Sequence, residues 1–149
     1  MKIIVMGSGS WGTTLANLLA VKGYTVSVYA RRDEIVQEIN THHTLEGFLP
    51  GANLHPTLRA TADPFDGLET ANVIVLAVPA QSMRTLLSQI AHRVPESAVL
   101  VNVAKGIEVE TLLRMEQLAE QFLPHNAYAT LSGPSHAEEV VRQMPTTVV

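Results

Sequence analysis

Three glycines spaced as Gly7-Ser8-Gly9-Ser10-Trp11-Gly12 follow directly on the apolar run Lys2-Ile3-Ile4-Val5-Met6, and helical spacing begins at Gly12. No other feature limits the fold of this chain so tightly. A short β-branched run reads as a buried parallel strand, and the glycines turn it sharply into a helix. The helix predicted from Gly12 carries Leu15, Leu18 and Leu19 on one face and stops at Gly23. Each glycine has its own task in such a turn. Gly7 permits the tight bend, Gly9 lets a ligand approach the main chain with no Cβ in the way, and Gly12 lets helix and strand pack closely. The N–H groups at the helix start then face an anion, which makes the pyrophosphate of a dinucleotide the expected guest. A purely structural glycine turn is the alternative.

Strands and helices alternate through the rest of the chain. Thr25–Tyr29 is a predicted strand and Asp33–Asn40 a helix; Asn72–Val78 and Ala98–Asn102 are strands, with a helix from Ala80 to about His92 between them. A helix at Leu112–Leu123, a strand at Ala127–Leu131 and a helix at Ser135–Gln143 complete the series, and residues 42 to 57 read as an irregular excursion. Parallel strands need covering crossovers, so the expected class is α/β with a doubly wound, mostly parallel sheet of the Rossmann type. At 149 residues with 46% hydrophobic and 16% charged, the chain suffices for one domain, residues 1–149, and intrinsic disorder is excluded. It closes on Thr146-Thr147-Val148-Val149, an apolar strand-like stub, which implies truncation within an element. Without cysteine there is no disulfide framework, thiolate metal site or cysteine nucleophile. A net charge of -4 argues against a general nucleic-acid surface, and the absence of a long apolar run argues against a membrane span. A soluble cytoplasmic chain is expected.

Cofactor choice should show at the end of the second strand, where an acidic side chain would accept the ribose 2′-OH of NAD. Arg31 and Arg32 stand there instead, and two guanidinium groups suit the 2′-phosphate of NADP. NADP(H) is therefore preferred, with NAD(H) open because Asp33 is within reach of a ribose hydroxyl; pairing of the arginines with Asp33 or Glu34 is the competing reading. Ligands of open parallel sheets collect beyond the carboxyl ends of the strands. Three later turns lie there: Val78-Pro79-Ala80-Gln81, then Asn102 to Glu108 with Lys105, one of three lysines, and Leu131 to Glu139. In the last, Ser135 and Glu138 have the spacing of a capping box, and a helix start there would favour an anionic substrate. His42 and His43 are read as loop residues with no metal site, Met115, Ala119 and Phe122 as core, and His136 as a surface residue.

These turns, taken with Phe48-Leu49-Pro50, resemble the N-terminal domain of the bacterial-type NAD(P)-dependent glycerol-3-phosphate dehydrogenases over the whole chain. The most specific matches are Ala104-Lys105-Gly106-Ile107-Glu108 and Ser132-Gly133-Pro134-Ser135. The resemblance implies that Gly7, Gly9, Ser10, Trp11, Gly12, Arg31, Arg32 and Ala137 bind the cofactor, that Lys105 touches cofactor and substrate, and that Gly133 and Ser135 hold the substrate. It implies hydride transfer between dihydroxyacetone phosphate and sn-glycerol 3-phosphate, feeding phospholipid synthesis, and a homodimeric full-length protein. The proton donor of that family is a lysine of a second, helical domain absent here, so no catalytic residue is expected in this chain. Two rival readings are a stand-alone nucleotide-sensing module acting through a protein partner and a reductase of another small acid.

Overall fold

The computed structural model describes residues 1–149. Six strands, β1 (Lys2–Met6), β2 (Thr25–Tyr29), β3 (Arg59–Thr61), β4 (Val73–Leu76), β5 (Val99–Asn102) and β6 (Tyr128–Thr130), form one sheet in the order β3-β2-β1-β4-β5-β6. Every pairing is parallel, so the sheet is wholly rather than mostly parallel. The helices are α1 (Ser10–Val21), α2 (Asp33–Gln37), α3 (Met83–Ile90), α4 (Met115–Phe122) and α5 (Ala137–Val141). Chain order runs outward from β1 to β3, then returns to the far side of β1 at β4. The direction of winding thus reverses between β1 and β4, where a crevice opens at the carboxyl ends of the strands.

Two apolar layers of 17 buried residues each cover the two faces of the sheet. Alternation along β1 explains the division: Ile3 and Val5 enter one layer, Ile4 and Met6 the other. Both faces are buried, which is why the strands read as unbroken apolar runs. Against α3 the expected stripe of Met83, Leu86, Leu87 and Ile90 is buried, and Met115 and Ala119 of α4 are core as expected.

Four local features correct or extend the expectations. On α1 the buried face is Gly12, Thr13, Thr14, Ala16, Asn17 and Ala20, while Leu15, Leu18 and Leu19 are half-buried; close approach to the sheet selects small residues, and the leucines pack around the rim. The segment 42–57 is irregular as expected, and it is also packed, since Leu45, Leu49 and Leu54 are all core. Strand β3 went unpredicted: it is three residues long with one buried position, Ala60, too short to show a period. The Asn40 side chain serves its outer edge, donating to the Ala60 carbonyl at 2.9 Å and accepting from the Ala60 N–H at 2.8 Å. Lastly, the 146–149 stub is not a strand of the sheet, although the Val149 main chain exchanges both hydrogen bonds with Ser132, at 2.7 and 2.8 Å.

Candidate functional site: a crevice at the winding reversal

The glycine turn lines the crevice, and the three glycines are not equivalent. Gly7 has φ 129°, and a Cβ there would lie 2.6 Å from the Ala77 carbonyl oxygen. At Gly12 a Cβ would lie 2.3 Å from the Gly7 oxygen, so only glycine allows α1 to start this close to β1. Gly9 differs: its φ of -72° suits any residue, and a Cβ there would meet nothing within 4 Å. Gly9 is also one of the residues that line the crevice. No side chain caps α1, its first turn holds no acidic residue, and the N–H groups of Ser10, Trp11 and Gly12 find no acceptor in the protein. Unpaired donors and an uncompensated helix dipole at one point make an anion cradle.

The crevice has a volume of about 740 Å³ and runs from this turn to Arg31, Arg32 and Phe48 on one side and to the start of α3 on the other. That size is ordinary for a bound cofactor. Arg31 and Arg32 form no ion pair with Asp33, Glu34 or any other carboxylate. The Arg32 guanidinium sits over the Phe48 ring at 5.8 Å, a contact that holds it while leaving its N–H edge free. Of the later turns, Pro79 and Gln81 join the same wall.

A smaller adjoining hollow of about 270 Å³ brings together Ser10, Trp11, Lys105, Ser135 and Ala137, with His136 beside them. Gly133 lies at its edge, where its carbonyl accepts a hydrogen bond from the Lys105 ammonium at 3.2 Å. Gly133 has φ 141°, and a Cβ there would lie 2.9 Å from the Thr147 oxygen, so the returning terminal segment requires glycine. The expected residues therefore line two adjoining hollows, except Gly133, which joins them through its bond to Lys105. The capping box expected at Ser135 and Glu138 does not form: α5 begins at Ala137, with His136 in the cap position and no side-chain cap. Glu138 and Glu139 in its first turn offset the dipole, so attraction for an anionic substrate rests on Lys105 and not on this five-residue helix. The Thr14 hydroxyl donates to the Ala137 carbonyl at 3.4 Å and ties α5 to α1.

Sequence reading missed the group that shapes the Lys105 turn. Glu108, only 7% exposed, takes a two-pronged ion pair from Arg84 of α3, with Nε and a terminal nitrogen each 2.8 Å from its two oxygens. The Arg84 and Thr111 hydrogen bonds hold the Glu108 carboxyl at about 2 against an ordinary 4.5, outweighing its burial. A depressed carboxylate stabilises the folded state fully above its unfolded value and loses that contribution as pH falls towards its folded one. Acid unfolding should accordingly show a component between pH of about 4.5 and about 2 that disappears in Glu108→Gln, measured by circular dichroism across the pH range.

Fold and crevice together define a Rossmann-type nucleotide-binding domain. Residues 2–149 match the family described as NAD-dependent glycerol-3-phosphate dehydrogenase N-terminus, and the chain belongs to that family. It is 45% identical to a glycerol-3-phosphate dehydrogenase (NAD(P)+) of Carboxydothermus hydrogenoformans over 151 aligned residues, covering 100% of this chain and 45% of the relative. A crystal structure of glycerol-3-phosphate dehydrogenase from Coxiella burnetii superposes with a TM-score of 0.91 at 28% identity, over 99% of this chain and 45% of that one. The enzyme from Saccharomyces cerevisiae gives a TM-score of 0.86 at 30% identity, over 96% of this chain and 44% of that one. The chain thus spans about half the length of the relatives it matches. No helix is long and apolar enough to cross a membrane.

Proposed function

We propose that residues 1–149 are the cofactor-binding domain of an oxidoreductase that interconverts dihydroxyacetone phosphate and sn-glycerol 3-phosphate, with NADP(H) preferred over NAD(H). One observation carries the reading: an uncapped helix start faces open space at Gly9, with two unpaired guanidiniums at one end of the crevice and an ammonium in the adjoining hollow. In this reading Gly7, Gly9, Ser10, Trp11 and Gly12 hold the pyrophosphate on main-chain N–H groups, and Ala137 closes the cofactor site. Arg31 and Arg32 take the 2′-phosphate of the adenosine ribose. Lys105, Gly133 and Ser135 receive the phosphorylated substrate, with the Lys105 charge favouring the alkoxide character that develops at its C2 oxygen.

A nicotinamide cofactor supplies or accepts the hydride in such a reaction. The chain's own residues bind and orient, since beyond Lys105 it has no lysine to act as proton donor. A helical domain of the intact protein supplies that lysine in this account. The homodimeric state, the cytoplasmic setting and the link to phospholipid synthesis are carried by the resemblance alone. Membership of a dehydrogenase family disfavours the stand-alone sensor.

The test is an NADPH-oxidation assay with dihydroxyacetone phosphate. The full-length protein is expected to turn over, and residues 1–149 alone to bind NADPH with little or no turnover. Rapid oxidation by residues 1–149, or none by the full-length protein, contradicts the assignment.

A further inference from the structure

Lys105 lies on an exposed turn, yet the chain on either side of it is fixed. Upstream, the buried Asn102 side chain folds over its own turn, donating to the Ala104 carbonyl and accepting from the Ala104 N–H, both at 3.1 Å. Downstream, Gln81 donates to the Ile107 carbonyl at 2.8 Å and accepts from the Val109 N–H at 3.0 Å. Between those two bonds stands Glu108, gripped by Arg84 and by the Thr111 hydroxyl. Arg84 is itself anchored by the Gln121 side-chain oxygen at 3.1 Å and lies over the Phe122 ring at 5.7 Å.

Apolar burial does not hold this loop in place. Ile107 is 44% exposed, Val109 68% and Leu112 69%. Its shape is set by polar contacts to Gln81, in the turn that leads into α3, and to Arg84 in the first turn of α3, the element that walls the crevice. A two-pronged guanidinium–carboxylate pair adds little net stability near a surface, but it fixes distance and angle at once. Only Gly106 and Ile107 separate Glu108 from Lys105, so a shift of the clamp is passed on to the ammonium. The other end of that side chain is fixed too, by its bond to the Gly133 carbonyl.

We infer that Arg84 and Glu108 are positioning residues that aim the Lys105 ammonium at the reacting part of the site. The inference rests on the functional reading above for what Lys105 aims at, but not for the brace itself. Two variants separate geometry from folding. Glu108→Gln removes the charge and one acceptor while keeping the shape, and Arg84→Lys keeps the charge but loses the fork.

Two readouts are taken on the full-length protein. The first is competitive acetylation of lysine amines followed by mass spectrometry, with Lys2 and Lys22 as internal references. Lys105 labelling is expected to rise several-fold in both variants as the ammonium leaves the Gly133 carbonyl. The second is steady-state kinetics with NADPH and dihydroxyacetone phosphate: kcat should fall about ten- to a hundredfold, the penalty of a misplaced group. Guanidinium ion added to Arg84→Ala should restore part of the rate. If Glu108→Gln does not fold, Arg84→Lys decides. Unaltered Lys105 labelling and kcat in a folded variant, even one that melts earlier, would overturn the inference and leave the pair a loop fastener. A parent protein without turnover refutes the functional reading, while the labelling still decides the brace.

Discussion

Gly12→Ala is expected to destabilise the chain by about 3 kcal/mol, at the upper end for overpacking, and to lower its thermal midpoint by roughly 6 to 12 °C. The added Cβ would lie 2.3 Å from the Gly7 carbonyl oxygen and 2.9 Å from the Ala77 Cβ. Neither neighbour is the far end of a flexible side chain, so relief requires α1 to move away from β1. Such a shift also displaces the helix start from the crevice, and NADPH binding should weaken with stability. Calorimetric melting of the variant against the parent checks the first effect. A midpoint within a degree or two of the parent would mean that α1 and β1 are less closely packed than described.

The Arg31→Ala/Arg32→Ala double variant has the other large effect. Each guanidinium bond to a phosphate is worth about 1.5 to 3 kcal/mol, so NADPH affinity should fall about ten- to a hundredfold per arginine. NADH, which lacks the 2′-phosphate, should bind nearly as before. The direction follows from the free state of both side chains: with no carboxylate paired to either, their charge is not already neutralised within the protein. Titration with both cofactors measures the two losses side by side. Equal losses would remove the arginines from the 2′-phosphate site, and folding is monitored by the unchanged melting of a variant altered only at exposed positions.

What was legible in the sequence was what is local. The glycine turn declared itself because strand, turn and helix start fall within a dozen residues, and Gly7 and Gly12 each answer to a nearby main-chain atom. Strands β1, β4 and β5 were legible because burial on both faces turns them into continuous apolar runs. Strand β3 was not, since pairing with β2 and the Asn40 side chain, rather than composition, makes it a strand. A signal for the segment before it was present: Leu45 and Leu49, then Leu54 and Leu58, recur at four-residue spacing, and all four are buried. The capping box at Ser135 failed for a tertiary reason. The Ser132 main chain is paired with Val149 and Gly133 is packed against Thr147, which places the preceding turn and delays the helix to Ala137.

At the site, the expected contact residues converged because they sit at the carboxyl ends of parallel strands, a rule that needs only the alternation of elements. The Arg84–Glu108 pair was beyond such a rule. Its partners lie 24 residues apart on α3 and the Lys105 loop, and nothing in either local sequence names the other.

Gly9→Ala tests the central claim most directly, because it separates the ligand's space from the protein's own packing. The position has φ -72° and room for a Cβ, so the variant should melt within about 4 °C of the parent. If the main-chain N–H groups of this turn hold a pyrophosphate, calorimetric titration will show NADPH affinity reduced at least about tenfold in that equally folded protein. Undiminished NADPH binding by folded Gly9→Ala would contradict the account.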